Sequence, residues 1–328
     1  MHIQDNIELE TEEPLTIQFE KPISTKKNNI CLFFRGIVNL DNTSSREHHR
    51  PIFIISMCIL LVFTHLSTYV YVAWNGQNFH SILINLFRFF VPCMRPTPDK
   101  IRMRTVSCDS MMRNQTCYYD DALKKMCFSF MYPHQLWRMV TANLIHINWV
   151  HLLANLSQLF LYGIPLERKY GSVLVIFIYW LSELGSGLTY MIKNRADSSV
   201  GASGSVYGLM LFLTVDRLIA MQVNTDRWIS ILIYLLLLVL LPIVVTIIVP
   251  IALRWTVAHS AHVGGGLMGF LVGVGKLGFP LLHNHQPNIC RTTCRYLAFV
   301  FLSLYCVIIL IVFFLTNAPT IDWILYNF

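Results

Sequence analysis

Three short clusters of polar residues interrupt otherwise apolar stretches, and together they have the makings of acyl-transfer chemistry. The run Gly201-Ala202-Ser203-Gly204 sets one hydroxyl among small neighbours. A nucleophilic serine needs that open space, and it needs free backbone N–H groups, as at a helix N-terminus, to hold an oxyanion. The run Ala261-His262-Val263-Gly264-Gly265 supplies an imidazole, and an imidazole beside a serine hydroxyl is the smallest nucleophile–base pair. His151 and Asn155 are four residues apart. On a helix they share a face and can both donate hydrogen bonds to a tetrahedral oxyanion. Tyr207, one turn after Ser203, is placed to support the imidazole ring.

Each cluster also has a plainer reading. Small residues let membrane helices pack closely, and lone polar groups join helices through hydrogen bonds. The sixth apolar stretch tips the balance, because Gly265, Gly269 and Gly273 recur every four residues and make one smooth stripe with His262 at its end. If that stripe packs on the helix of Ser203, hydroxyl and imidazole meet. Glu183 and Asp216 lie too deep or too far to complete a triad, so a Ser–His dyad is expected, with Glu183 as a structural hydrogen-bonding group. His259 is turned about 60° from His262 around a helix and lacks the glycine pair that follows His262; it and His146 read as bystanders. The chain has no His-Glu-x-x-His zinc motif and no Gly-x-Gly-Asp; Asp120 and Asp121 follow a tyrosine, but in a polar loop. No metal and no cofactor is expected.

The elements that must hold these groups are helices in lipid. Of 328 residues, 55% are apolar and 13% charged, about half the charged share of a soluble protein. A soluble fold cannot hide this much apolar side chain; disorder, a collagen and a small disulfide scaffold are excluded for most of the chain. The net charge of +7 does not point to nucleic acid, because the cations sit between apolar runs, where they orient helices. Seven stretches reach the roughly 20 helical residues that cross a bilayer: 52–74, 148–164, 173–192, 203–221, 228–250, 257–278 and 296–316. Pro242 is expected to kink the fifth. With the N-terminus in the cytosol, the inner loops carry Arg168, Lys169, Arg217, Arg227, Lys276, Arg291 and Arg295, and the short outer loops only Lys193, Arg195 and Arg254. This predicts an N-in, C-out protein of the plasma membrane or secretory pathway, with all three polar clusters toward the outer side.

The chain divides accordingly. Residues 1–50 read as a mostly disordered cytosolic tail, acidic and then basic, with no secretory or mitochondrial leader pattern. Residues 51–75 form the first transmembrane helix and 76–147 an extracytoplasmic loop. Residues 148–279 hold a catalytic core of five helices, and 280–328 a linker and C-terminal transmembrane helix. The outer loop carries Cys93, Cys108, Cys117 and Cys127, whose three pairings stay open, and the sequon Asn114-Gln115-Thr116. Cys58 and Cys306 read as core or lipid-facing, while Cys290 and Cys294 lie where S-palmitoylation occurs.

These motifs resemble the rhomboid family of intramembrane serine proteases. The resemblance is carried by Trp137-Arg138, His151-x-x-x-Asn155, Gly201-Ala202-Ser203-Gly204 with Tyr207, and Ala261-His262-x-Gly264-Gly265. The run Gly163-Ile164-Pro165-Leu166-Glu167 looks like that of the animal secretase-type branch. The resemblance implies an all-α polytopic fold, a six-helix core plus a C-terminal helix. It implies Ser203 as nucleophile and His262 as general base. His151, Asn155 and the Ser203 N–H would form the oxyanion hole, and Tyr207 would stack on His262. Trp137, Arg138, Glu167, Gly201, Gly204, Gly264, Gly265 and Gly269 would be structural. The implied substrates are single-pass membrane proteins, with the fifth span and the loop around Trp255 gating their access. A catalytically inactive relative that binds membrane clients is the alternative, but such relatives typically lack the serine or the histidine. One departure is Ser205, where the family pattern continues with glycine; tolerance is expected, with altered packing.

Overall fold

A computed structural model describes residues 49–75, 84, 86–107, 116–127, 130–193, 198–223, 228–253, 257–278 and 288–316. The tail 1–48, Cys108, Asn114, Trp255 and several loop cations lie outside these residues. In chain order the described elements are α1 (Ile52–Asn75), β1 (Phe89–Phe90), α2 (Val91–Met94), α3 (Asp99–Arg102), β2 (Thr105–Ser107), β3 (Thr116–Tyr118), α4 (Tyr119–Met126), α5 (Arg138–Leu144), α6 (Trp149–Gln158), α7 (Ile164–Tyr170), α8 (Ser172–Lys193), β4 (Ser198–Ser199), α9 (Ser203–Val223), α10 (Trp228–Leu235), α11 (Leu241–Leu253), α12 (His259–Leu277) and α13 (Asn288–Leu315).

The protein is a polytopic helical membrane protein. Four helices among the described residues are long and apolar enough to cross a bilayer alone: α1, α8, α9 and α13. Arg138–Leu144 and Trp149–Tyr170, bent by 96° against each other, are apolar and long enough for a fifth crossing only when taken together. The second span thus runs six residues beyond the expected end at 164, through a π turn at Leu159–Gly163 into α7. The expected fifth and sixth spans are helical but less regular or less apolar. Another π turn, Leu236–Leu240, joins α10 to α11 immediately before Pro242, so the distortion caused by Pro242 lies in the turn ahead of it. Proline cannot donate to the carbonyl four residues back. That carbonyl, Leu238 O, instead accepts from the Tyr162 hydroxyl at 2.5 Å. Helix α12 carries glycine at six of its 19 positions. It can be less apolar because it packs against α8, α9 and α13, and its glycines are largely shielded by protein.

Glycine sets the α9–α12 approach. A Cβ at Gly265 would strike the Gly204 carbonyl, and one at Gly269 the Gly208 carbonyl. Backbone therefore meets backbone at two successive turns, a spacing only side-chain-free residues allow. A Cβ at Gly264 would collide with the Thr189 side chain and the Gly185 carbonyl on α8. Glu167, fully buried, closes the other end of the bundle. Its carboxylate accepts from the backbone N–H of Phe53 at 2.7 Å and Ile54 at 2.9 Å, and from Ser172 Oγ. It thereby caps the N-terminus of α1 from a distant part of the chain, where the orphan N–H groups and the helix dipole favour an anion.

The segment expected as an outer loop is folded where it is described. β2 pairs antiparallel with β3, and β1 pairs antiparallel with β4, directly ahead of the Gly201 loop. A disulfide joins Cys93 to Cys127, and Cys117 is also disulfide-bonded. Arg95 Nη1 donates to Thr316 Oγ1 at 3.1 Å, so the C-terminal end of α13 lies on the side of this module.

Candidate active site

Ser203 opens α9 and His262 lies in the first turn of α12. The glycine contacts one turn further in bring these two helix ends together, and Ser203 Oγ stands 3.0 Å from His262 Nε2. At that distance the hydroxyl can give its proton to the imidazole. Tyr207 stacks on His262 with ring centroids 4.3 Å apart and planes 5° from parallel. The Tyr207 hydroxyl is in turn hydrogen-bonded to Thr246 Oγ1 on α11 at 2.7 Å. The imidazole is thus held from one face by a ring whose far end is tied to a third helix. Among the described residues no protein group bonds His262 Nδ1. Glu183 and Asp216 are both engaged elsewhere, the latter with Lys169 and Tyr170.

The loop that leads into Ser203 has its own constraints. Gly201 adopts φ +111°, which other residues avoid, and a Cβ there would lie 2.5 Å from the His151 ring. Its N–H donates to Ala142 O at 2.8 Å. His151 therefore lies against the loop that leads into Ser203. Asn148 caps α6 by accepting from the His151 N–H at 2.8 Å, which starts the helix so that His151 and Asn155 share a face. Asn155 is buried, and its Nδ2 has no hydrogen-bond partner among the described residues.

Around the site, Gly204 is crowded by Ser186, so a Cβ there would collide. Ser205 proves to be more than a tolerated glycine replacement. Its fully buried hydroxyl donates to Glu183 Oε2 at 3.0 Å and accepts from Asn143 Nδ2 at 3.2 Å, while the Tyr179 hydroxyl donates to Asn143 Oδ1 at 2.7 Å. The serine is the partner that a carboxyl group in this interior requires. Arg138, also fully buried, donates from Nε to Gln135 Oε1 at 2.7 Å and from Nη1 to Arg88 O at 2.9 Å. Trp137 packs beside it against Phe87. This pair thus fastens α5 to the disulfide-bonded module that precedes it. His259 is exposed, its ring 6.4 Å from that of His262. His146 is buried, with its ring 5.1 Å from His151. Reading the sequence missed Asn143, Thr246 and Gln135; their residue types are ordinary, and only tertiary contact gives them significance.

Fold and site together define a polytopic α-helical membrane protein with a serine and an imidazole paired among its helices. Residues 133–279 match the family model described as Rhomboid domain. The chain is 29% identical over 190 residues to RHOMBOID-like protein 2 of Arabidopsis thaliana, covering 57% of this chain and 58% of that protein. It is 30% identical over 176 residues to the rhomboid protease AarA of Providencia stuartii, covering 48% and 61%. It is 31% identical over 87 residues to the rhomboid protease GlpG of Haemophilus influenzae, covering 26% and 44%. Over residues 133–279 the chain is thus similar to the rhomboid family. It spans between 44% and 61% of the length of these curated relatives.

Proposed function

We propose that the protein is an intramembrane serine endopeptidase that cleaves single-pass membrane proteins within or near the outer part of their transmembrane segment. The observation that carries this reading is the 3.0 Å approach of Ser203 Oγ to His262 Nε2 under the stacked Tyr207 ring. Ser203 attacks the scissile carbonyl as His262 takes its proton, forming a C–O bond. The tetrahedral oxyanion is held by His151, Asn155 and the backbone N–H of Ser203. The intermediate collapses as His262 returns the proton to the leaving amine, leaving an acyl-enzyme. Water, deprotonated by His262, then attacks the ester and frees Ser203. The substrate must unwind locally, since a helical peptide bond is shielded by its own backbone. Single-pass proteins with small or helix-breaking residues near the outer face fit this requirement, among them the membrane-tethered surface proteins expected for a secretase-type enzyme.

The orientation that serves this chemistry is N-in, C-out, in the plasma membrane or secretory pathway. It rests on the bias of Lys and Arg and on the disulfides of the outer module, which need an oxidising space. The test is cleavage of a single-span reporter in proteoliposomes. Ser203→Ala and His262→Ala should each lower the rate at least about a thousandfold, with unfolding temperature unchanged and His259→Ala near wild type. Undiminished cleavage by either of the first two variants would overturn the assignment.

A further inference from the structure

On the inner side of the bundle, the last turn of α12 and the early turns of α13 leave a cavity of about 440 Å³ between them. Gly275, Lys276, Thr292, Arg295, Tyr296 and Phe299 line it. Its walls offer two cations, a hydroxyl and a phenol, and no acidic side chain. Arg295 is more than a generic inner-face charge. It donates from Nη2 to the Lys276 carbonyl, which fixes the guanidinium at the end of α12. Its Nε is shielded from solvent and has no hydrogen-bond partner among the described residues. The floor is apolar, because Phe299 lies over Gly275, where a Cβ would come within 2.8 Å of the ring.

The cavity also has a defined depth. The apolar stretch of α13 begins at Thr292, so the cations sit at the level where a headgroup meets the acyl region. Beyond them the surface continues as exposed Phe299, Val300 and Phe301. A free phosphate would use the donors and leave that floor wet. An acidic head carrying acyl chains uses both.

We infer that this cavity binds the phosphate-bearing headgroup of an anionic phospholipid of the inner leaflet, with Arg295 and Lys276 on the phosphate oxygens and the acyl chains along α13. Arginine suits this role because its planar fork can present two N–H groups to one phosphate. Anionic lipids are enriched in the cytosolic leaflet, where basic clefts between membrane helices recruit them. The inference rests on the N-in orientation but not on the protease reading, and its readout is lipid retention, not cleavage.

The full chain is to be examined by native mass spectrometry in detergent, with phosphatidylinositol 4-phosphate, phosphatidylcholine or inorganic phosphate as separate probes. The wild type should retain phosphatidylinositol 4-phosphate in preference to phosphatidylcholine. Arg295→Gln should weaken that retention about tenfold, the effect of losing one good hydrogen bond to a charged group. Thr292→Phe, which fills the cavity and leaves its charge intact, should weaken it similarly. Arg168→Gln removes an exposed cation from the inner end of α7 and should have no effect. Equal weakening by Arg168→Gln would reduce the site to diffuse surface charge and overturn the proposal. So would equal retention of phosphatidylcholine, or displacement of the lipid by inorganic phosphate at a similar concentration. Melting curves in phosphatidylcholine alone identify a variant that has simply lost its fold.

Discussion

Between α9 and α12 the helices touch backbone to backbone, through glycines that leave no room for a side chain. In the disulfide-bonded module that precedes α5, the helices described between residues 86 and 137 are four to eight residues long and the strands two or three. Order there comes from a disulfide, a buried Arg138–Gln135 pair and an ion-paired Asp120. The two regions meet at β1 and β4, whose pairing leads straight into the Gly201 loop. Within the membrane, long helices satisfy their own backbone groups, so close packing can set the positions of Ser203 and His262. In the module, short elements have too little apolar area to hold themselves, and covalent and polar links take over.

If that contrast is right, damage to the two regions should differ in kind. The largest effect should come from Gly269→Leu. Its side chain would be driven into the Gly208 backbone, which cannot swing aside as a side chain would. Overpacking of about 3 kcal/mol or more should part Ser203 from His262 and abolish cleavage, and thermal unfolding in detergent should show a marked loss of stability. Cys93→Ser with Cys127→Ser should act on stability first. The closed loop spans 34 residues, for which chain entropy suggests about 3–4 kcal/mol. Unfolding temperature should drop with residual cleavage retained, because the pair of reacting atoms is set within the membrane. A complete loss of activity in a still-folded Cys variant would break the comparison and make the module part of the catalytic framework.

Smaller effects sharpen the same contrast. Thr246→Val removes the hydroxyl that holds Tyr207. It should lower kcat several-fold, for about 1 kcal/mol of lost positioning, and scarcely move the unfolding temperature. The module should also respond to acid. Burial works against ionisation of Asp120, but the hydrogen bonds and charges of Arg102 and Lys124 outweigh it and hold the carboxyl below its ordinary value of 3.8. A depressed value in the folded state means that this contribution is complete above the ordinary Asp range and is lost as pH falls through it and below. The loss should be about 1 kcal/mol, visible as a fall in unfolding temperature at low pH that Asp120→Asn flattens.

The same division explains what the sequence could reveal. Ser203, His262 and the glycine stripe were legible because helical spacing maps chain position directly onto a face, so three glycines four apart imply one smooth surface. The six-residue extension of the second span past 164 was hidden by Glu167, Arg168 and Lys169, charges that read as a loop. The Glu183–Ser205–Asn143–Tyr179 network was not legible, since it joins three helices through separations of 22 to 62 residues. Nor was the β1–β4 pairing, in which two-residue strands show no alternation to detect. The four cysteines from Cys93 to Cys127 announced an oxidised module, but three pairings were equally open until the structure joined Cys93 to Cys127.

The central claim is that Ser203 is made nucleophilic by His262, and labelling with a fluorophosphonate probe in lipid bilayers tests it most directly. Peptide mass spectrometry should find the adduct on Ser203 in the wild type, and none on that residue in a folded His262→Ala variant. A wild-type adduct on another serine, or undiminished labelling of Ser203 without His262, would contradict the account.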